Sequence, residues 1–399
     1  MRFIILVSCL IASLSCLGQK LLKGIVVDKE TGQALPGASV FLSNTSVGIT
    51  TNSQGVFALS VPDGKYDLIV SSIGFETYTQ TITTASLPES LTLKLNPKIK
   101  ELATVIVEPF EKDGWEKWGK FFLDNFIGTS AFARDCIIKN KDVIKFRRSK
   151  TPNELTAIAL EPLLIENKAL GYTVRYQLED FNYNFKTHYL YYSGYPFFEP
   201  MQGSNAQQRR WERAREEVYY GSMMHFMRSL FRNKIAEENF EVYALKKLPN
   251  TEKARVREAN NRRIRVMPDK QLTIGSVAGD SSAYYDRILA QEDYIDVVGS
   301  TRLTGDSIAY AVNATTAGLE FENHLLIIYK KGTVPDEYRR QFPKNGTSKM
   351  SQVTLINNKP IEVQANGSYY MPTDLFSLGY WAWSEKIATM LPFDYKVGN

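Results

Sequence analysis

The sequence predicts a mixed fold, in which a β-sandwich at residues 19–100 is followed by an α+β domain at residues 113–399. Short β-prone runs separated by turn residues fill the first region, whereas amphipathic helices and strands are mixed in the second. The 399 residues, 44% of them hydrophobic, are enough for two or three folded domains.

Residues 1–18 are predicted to be an export signal. Arg2 supplies a positive charge, and residues 3–17 form an apolar run. That run is shorter than the ~20 residues that a transmembrane helix needs, but it suits a signal peptide. Cleavage after Gly18 would leave a mature chain without a transmembrane span. We therefore expect an exported protein, either periplasmic or associated with the outer membrane.

Cys16 supports a second interpretation, in which this cysteine is lipidated and becomes the first residue. Residues 13–16 resemble a lipoprotein box, but Ser13 stands where leucine is usual, so soluble release is favoured. Cleavage after Gly18 leaves Cys136 as the only cysteine, and cleavage before Cys16 leaves it as one of two. We expect Cys136 to be a small buried residue rather than half of an internal disulfide.

The predicted sandwich rests on six β-prone runs and on the turns between them. The turns contain Gly32, residues 52–55 and residues 62–64, which supply the positive or preset φ angles that a chain reversal requires. Leucines alternate with polar residues over 91–95, so this strand should bury one face. The runs are residues 24–27, 38–42, 56–61, 66–70, 75–82 and 91–95.

An ordered set of short motifs lies on these runs: Gly24-Ile25-Val26-Val27-Asp28, Thr31-Gly32, Leu35-Pro36-Gly37-Ala38, Thr51-Asn52-Ser53-Gln54-Gly55-Val56-Phe57, Pro62-Asp63-Gly64 and Ser72-Ile73-Gly74-Phe75-Glu76. Together they resemble the carboxypeptidase-regulatory-like domain, a transthyretin-like sandwich with Greek-key topology. The resemblance implies a non-catalytic accessory module. Such modules occur beside metallocarboxypeptidase domains and at the N-termini of outer-membrane nutrient receptors.

A linker is predicted at residues 101–112. Its residues 102–108 resemble the stretch that joins this domain to the plug of such receptors, where it can engage an energy-transducing partner. An ordinary strand or linker is the favoured alternative, because no receptor barrel plainly follows.

Helical periodicity marks the region after residue 112. Asp113 and Glu116 form a plausible capping pair, and Gly128 follows an aromatic stripe at helical spacing. Residues 206–233 predict one long helix or two helices broken at Gly221-Ser222, and the stripe from Met223 to Phe231 should face the core. Strands are predicted at residues 143–146, 157–165, 262–266, 308–312 and 324–329, hairpins at 172–192 and through Asn357-Asn358, and a closing helix at 380–391.

A second resemblance extends over most of residues 110–399. The motifs that carry it include Glu161-Pro162-Leu163-Leu164-Ile165-Glu166-Asn167, Tyr220-Gly221-Ser222, Gly379-Tyr380-Trp381-Ala382-Trp383 and Leu391-Pro392-Phe393-Asp394-Tyr395. They are similar to those of exported bacterial envelope proteins that pair this sandwich with an uncharacterised C-terminal domain. This resemblance implies an architecture but no chemistry.

The histidines are too few and too badly spaced for a hydrolytic zinc site. Catalytic zinc usually takes three protein ligands, often two histidines and a carboxylate. The His-x-x-Glu pair of metallocarboxypeptidases is missing, because the three histidines are followed three positions later by other residues: His188 by Tyr191, His225 by Arg228, and His324 by Ile327. We therefore expect no metal, no cofactor and no carboxypeptidase activity.

Three residues are weak catalytic candidates. Glu161 and Glu166 are the carboxylate pair to inspect first for hydrolysis, although pairing with nearby lysine or arginine is the favoured interpretation. His225 shares a helix face with Arg228 and Ser222, where a small polar pocket could form. A buried, satisfied histidine is the favoured alternative.

Aromatic residues in the predicted hairpin are candidates for ligand binding. Tyr189, Tyr191 and Tyr192 could stack sugars or peptides, although sheet packing is the default role of such residues. Three basic runs, residues 139–150, 209–215 and 255–265, do not predict nucleic-acid binding. Nearby glutamates neutralise the run at residues 209–215, which lies in a predicted helix. An exported protein also rarely meets nucleic acid.

These observations predict a non-catalytic cell-envelope protein. The sandwich would act as an accessory or interaction module, and the C-terminal domain would bind an envelope protein or a polymeric ligand. The alternative is an exported hydrolase acting on peptide or glycan, with a site assembled from Glu161, Glu166 and His225.

Overall fold

The computed structural model describes residues 20–98, 109–265, 281–343 and 348–398. These residues form three hydrophobic cores. The first core lies within residues 22–95. The second lies mainly between residues 122 and 224 and is completed by residues 387–395. The third is built from residues 223–383.

The first core confirms the predicted N-terminal β-sandwich. One sheet has the order β4-β1-β7, and the other has the order β3-β2-β5-β6. Leu93 and Leu95 are buried between the sheets, while Lys94 is exposed, as the alternation predicts. The strands are β1 (Lys20–Asp28), β2 (Ser39–Leu42), β3 (Gly48–Thr50), β4 (Val56–Val61), β5 (Lys65–Ser71), β6 (Tyr78–Thr83) and β7 (Leu91–Leu95).

The second core joins helices α1 (Gly114–Phe126) and α2 (Asn205–Tyr219) to a six-stranded antiparallel sheet. The longest strand, β12, pairs along one edge with β11 and β10 and along the other with β13. The strands are β8 (Cys136–Ile138), β9 (Ile144–Ser149), β10 (Glu154–Ala159), β11 (Leu163–Asn167), β12 (Tyr172–Asn184) and β13 (Tyr189–Pro200).

Two features of this sheet differ from the sequence prediction. The single strand expected over residues 157–165 is two strands, because the chain bends at residues 160–162, where Pro162 interrupts the pairing. The predicted hairpin is longer than expected, since both strands continue past the bulge between Leu178 and Asp180. Phe122 and Phe126 of α1 are fully buried on the sheet, as their helical spacing predicts.

The third core contains a five-stranded sheet, β15-β14-β18-β19-β22, and a four-stranded sheet, β16-β17-β20-β21. Its strands are β14 (Phe240–Pro249), β15 (Tyr294–Arg302), β16 (Ala309–Asn313), β17 (Thr316–Leu319), β18 (His324–Tyr329), β19 (Lys349–Leu355), β20 (Ile361–Gln364), β21 (Tyr369–Tyr370) and β22 (Leu375–Gly379). The helices of this region are α3 (Met223–Phe231), α4 (Thr251–Arg265), α5 (Ser281–Leu289), α6 (Asp336–Gln341) and α7 (Tyr380–Ser384), of which α3, α6 and α7 contribute residues to the third core.

The break between α2 and α3 lies where the sequence predicts it. Gly221 has a φ of 86°, and the Ser222 side chain accepts a hydrogen bond from the His225 backbone and caps α3. Met223, Phe226, Met227 and Leu230 face the third core, which confirms the predicted stripe. Among the described residues, no helix is long and apolar enough to cross a membrane.

Three further predictions in this region are wrong. Residues 262–265 belong to α4 rather than to a strand. Asn357 and Asn358 turn the chain with positive φ angles, but β19 and β20 belong to different sheets and form no hairpin. The closing helix ends at Ser384, because a second, short helical turn at residues 387–389 redirects the chain into the second core.

Candidate ligand-binding cleft

A cleft of about 1230 Å³ lies between the sandwich and the two other cores. All three parts of the molecule contribute to its walls. The contributing segments are residues 43–44 and 66–67 of the sandwich, 189–195 of β13, 222–224 at the start of α3, 375–379 of β22, and 385–386 after α7. Ligand sites occur preferentially in clefts between packed units.

Specific contacts hold the sandwich against the rest of the chain. The backbone N–H of Ser46 donates to the Asp394 carboxylate at 2.9 Å, and the Ser46 hydroxyl donates to the other oxygen of that carboxylate. Lys65 pairs with Glu362 at 2.7 Å, and the Tyr370 hydroxyl donates to the Lys65 carbonyl at 2.8 Å. The sandwich is therefore a fixed wall of the cleft.

The three tyrosines predicted to bind ligand all line this cleft. Tyr189 stacks on Phe376 of β22, with 5.6 Å between the ring centroids. Tyr192 packs edge-on against Phe126, and its hydroxyl donates to the Glu385 carbonyl at 3.3 Å. Both rings therefore pack against aromatic neighbours in the cleft wall.

Glu385 lies in the cleft wall, although no sequence pattern points to it. Its carboxylate accepts a hydrogen bond from the Met223 backbone N–H, at 3.0 Å, where α3 begins. Burial raises the pKa of Glu385 to about 7, although this hydrogen bond opposes the shift. A carboxyl group that titrates near neutrality can give or take a proton at physiological pH.

Lys386 is the next residue and also lines the cleft. Its Nζ lies 5.4 Å from the centroid of the Tyr192 ring. Burial lowers the pKa of Lys386 to about 8, because an ammonium that is partly removed from water loses hydration. None of the ion pairs formed between described residues involves Lys386. No sequence motif could have identified either residue, since burial alone distinguishes them from other Glu-Lys pairs.

The structure places the two glutamate candidates outside the cleft lining. Glu161 is exposed on the turn between β10 and β11. Glu166 lies in β11, and its carboxylate is 3.5 Å from Nζ of Lys139 and 3.6 Å from Nζ of Lys168. These ion pairs match the structural interpretation that the sequence favours.

His225 also lies outside the cleft lining, and only 1% of its surface is exposed. Its Nδ1 accepts a hydrogen bond from the Gly221 backbone N–H at 3.1 Å, so Nε2 carries the proton and donates to Glu238 at 3.2 Å. Burial lowers the pKa of the imidazole, which keeps it neutral. With both nitrogens occupied, the ring ties the start of α3 to the segment before β14.

Two other sequence predictions concern Cys136 and metals. Cys136 is buried, and burial raises the pKa of its thiol to about 12, so the thiolate is suppressed. Among the described residues, no group of three or more histidine, cysteine or acidic side chains is arranged to hold a metal ion.

Comparison with protein families bears on the first core. Residues 22–107 match the family model of the CarboxypepD_reg-like domain. This chain carries a CarboxypepD_reg-like domain. The match confirms the resemblance stated for the sandwich motifs. It covers the wall of the cleft formed by Ser43, Asn44, Tyr66 and Asp67, but none of the aromatic hairpin or the Glu385-Lys386 pair.

Similarity to solved structures is low. The pilus 2b backbone protein of group B streptococcus is 16% identical over 20% of this chain and 41% of that chain, with a TM-score of 0.17. A 3-chlorocatechol 1,2-dioxygenase from Rhodococcus opacus 1CP is 15% identical over 21% of this chain and 62% of that chain, also at 0.17. This chain therefore spans less than two thirds of either protein.

One similarity extends over most of the chain. A protein of unknown function from Bacteroides fragilis is 12% identical over 86% of this chain and 93% of that chain, with a TM-score of 0.17. Scores this low establish neither a shared fold nor a shared function. No curated protein matches the chain.

Proposed function

We propose that this is a non-catalytic cell-envelope protein that binds a protein or polymeric ligand in the cleft. The CarboxypepD_reg-like domain acts as the accessory module and supplies one wall. The observation that carries the proposal is the cleft itself, whose volume of about 1230 Å³ accommodates several residues or sugar units and whose walls carry Tyr189, Tyr191 and Tyr192.

The chemistry of the walls suits an extended ligand. Aromatic rings bury large areas of a ligand while ordering few rotatable bonds. Polar side chains of the sandwich, including Asn44, Asp67 and Thr79, line the same space and can fix a ligand's orientation by hydrogen bonds. The contacts of Ser46 with Asp394 hold these groups in place before the ligand arrives, which reduces the entropy lost on binding.

A binding measurement on the full chain tests this proposal. Panels of envelope glycans and of end-blocked peptides are titrated calorimetrically against the protein and against a Tyr189→Ala, Tyr191→Ala variant. We expect at least one panel to contain a ligand whose affinity falls about tenfold or more in the variant, because aromatic anchors dominate binding energies. Tyr294→Ala is the matched control, since Tyr294 is 57% exposed and lies outside the cleft lining. A ligand that binds all three proteins equally contradicts the proposal.

Export is the second part of the proposal, and it rests on residues 1–18, which lie outside the described residues. The charged start, the short apolar run and the small residues at Cys16 and Gly18 support it. Mass spectrometry of the mature protein distinguishes the possibilities. A chain that begins at Gln19 supports soluble release, a diacylated Cys16 supports lipidation, and an intact Met1 in cells contradicts export.

The alternative is an exported hydrolase that acts on peptide or glycan. One observation favours it: Glu385, whose pKa is raised to about 7 by burial, lies in the same cleft. Turnover of an envelope polymer that is lost in Glu385→Gln, but retained in Glu161→Gln, would establish the hydrolase and overturn the non-catalytic proposal.

A further inference from the structure

The outer strand of the five-stranded sheet is exposed along its whole length. β15 is the last strand in the order β15-β14-β18-β19-β22, and within the described residues it pairs only with β14. Every residue of β15 is exposed, and Tyr294, Ile295, Val297 and Val298 leave between 44% and 57% of their surface accessible. None of these residues lines the cleft, so this surface is separate from the proposed ligand site.

Residues 294–298 lack the features that normally keep an edge strand from pairing with another chain. Those features are proline, lysine, a bulge, or a covering segment. The stretch contains neither proline nor lysine, and the irregularity in its pairing with β14 comes only after Val298. No described strand lies on its outer side. Its outward N–H and C=O groups are therefore a template for the addition of a strand.

The single charge of this stretch is already neutralised within the chain. The Asp296 carboxylate lies 2.9 Å from Nζ of Lys247 on β14, and it accepts a hydrogen bond from the Gln352 side chain at 2.9 Å. A partner strand therefore has no net charge to satisfy. The best complement of a neutral, apolar edge is another neutral, apolar edge, and a second copy of the chain supplies one.

An antiparallel pairing about a two-fold axis at Asp296 matches the stretch with itself. Tyr294 then lies opposite Val298 of the second copy, and Ile295 lies opposite Val297, so each apolar side chain meets an apolar partner. Cross-strand pairs between aromatic and β-branched residues, and between two β-branched residues, stabilise antiparallel sheets. An axis further along the strand would carry the pairing into the irregular part of β15.

The neighbouring strand β14 supports the same pairing. Leu248 is 50% exposed and lies beside Ile295, so it extends the apolar surface on that face. On the other face, the two Asp296 carboxylates meet at the axis, and each brings its own Lys247. The four charges sum to zero, which removes the repulsion that two bare carboxylates would suffer.

We propose that the chain forms a two-fold dimer, in which residues 294–298 of two copies pair as antiparallel strands and join the two five-stranded sheets into one. Two-fold dimers are the commonest assemblies of identical chains. A strand edge of this length buries less than the about 1,600 Å² of a standard interface, so the dimer dissociates in the micromolar range.

Sedimentation velocity of the full chain, as isolated from cells, tests the dimer over about a hundredfold range of micromolar concentrations. We expect the mass to rise from monomer to dimer. Val297→Lys should weaken the dimer about tenfold or more, because it places a lysine on each edge. Val312→Lys is the matched control, since Val312 is 49% exposed on β16, the end strand of the other sheet. Thermal unfolding checks that both variants fold.

Cross-linking of introduced cysteines tests the register. Asp296→Cys places two thiols directly opposite each other, with about 5 Å between their Cβ atoms, and a short bifunctional maleimide should join them. Ser300→Cys is the control on the same strand, because the two copies of residue 300 would lie about 27 Å apart. Cys136 is buried, so the parent protein should give no cross-linked dimer.

A charge reversal of the logic at the axis tests self-pairing specifically. Lys247→Met leaves two unneutralised Asp296 carboxylates facing each other and should weaken the dimer about tenfold. Lys247→Met combined with Asp296→Asn should restore it, because the axis is then free of charge.

Three outcomes would overturn the inference. One is a protein that stays monomeric over the whole range, with residues 294–298 either covered by another segment of the same chain or free, as hydrogen exchange would show. The second is a dimer that Val297→Lys does not weaken. The third is efficient cross-linking through Ser300→Cys but not through Asp296→Cys. The proposed function is unaffected by any of them, because the cleft does not include this strand.

Discussion

His225 is buried among aromatic side chains and Lys386 is half-buried beside the ring of Tyr192, but their polar surroundings differ. His225 accepts from Gly221 and donates to Glu238, so each ring nitrogen has a partner. Lys386 lies over Tyr192 and belongs to none of the ion pairs of the described residues. The first environment stabilises the fold, whereas the second leaves the charge without an ion-pair partner among the described residues.

The same contrast applies to the carboxylates. Glu166 is paired with Lys139 and Lys168 on the surface of β11. Glu385 is enclosed in the cleft wall with one hydrogen bond from Met223, and its pKa is raised to about 7. A chemical role therefore depends less on residue type than on whether the folded environment has already satisfied the group.

The largest effect should come from His225→Ala, which tests the structural side of this comparison. Removing the ring deletes its packing against Phe240, at 4.9 Å between centroids, and leaves the Gly221 N–H without its acceptor. We expect the free energy of unfolding in urea to fall by about 3 kcal/mol. The control is His188→Asn, on an exposed turn with a φ of 57° that asparagine tolerates. If His225→Ala kept full stability but lost ligand binding, His225 would be a binding residue and not a structural one.

Glu385→Gln should change how stability depends on pH. The folded pKa of about 7 exceeds the ordinary value of 4.5, so between these pH values the folded state binds more protons than the unfolded state. The free energy of unfolding of the parent protein should therefore fall as pH rises through this window, by about 3 kcal/mol in total. The glutamine variant should lack this fall, and Glu161→Gln should keep it. If the free energy of unfolding depends on pH in the same way in the parent and in Glu385→Gln, then Glu385 is exposed to solvent and its pKa is not raised.

Lys386→Met tests the cost of the unpaired charge. The folded pKa of about 8 lies below the ordinary 10.5, so the unfolded state binds more protons between these values and the parent should become more stable as pH rises through them. At pH 7 the methionine variant should be about 2 kcal/mol more stable than the parent, and this advantage should shrink by pH 10.5. A less stable variant would mean that the ammonium has a partner in the unliganded protein.

The smallest effect is expected for Glu166→Gln. Exposed ion pairs contribute little, so thermal and urea unfolding should change by about 0.5 kcal/mol or less. Ligand binding in the cleft should be unchanged, because Glu166 is not in the cleft lining. A large loss of stability or of ligand binding in this variant would restore Glu166 as a candidate functional residue.

The sandwich could be predicted in detail from sequence, and so could the helix break. Strand alternation at residues 91–95 and the turn at Gly32 are local signals, which depend on neighbours a few positions away. The helical stripe around Met227 is local in the same sense. Errors occurred where local signals were weak, as at Asn357, where a turn was recognised but its partner strands were not.

The candidate site was predicted only in part. Tyr189, Tyr191 and Tyr192 were chosen as candidates because a strand rich in tyrosine is visible in the sequence; all three line the cleft, and their binding of a ligand stays a prediction. Glu385 and Lys386 were not found, since nothing in their sequence context distinguishes them from exposed charged residues. Their pKa values shift because of burial, which is a property of the assembled walls.

The sequence by itself determined the β-sandwich, the helix boundaries near Gly221 and the absence of His-x-x-Glu spacing, because each depends on residues that are close along the chain. Only the tertiary structure decided which polar groups remain unsatisfied. Tyr192 meets Glu385 across 193 positions, and Ser46 meets Asp394 across 348. Desolvation and pairing depend on distances in space, so the cleft and its charges became apparent only when those distant segments were packed together.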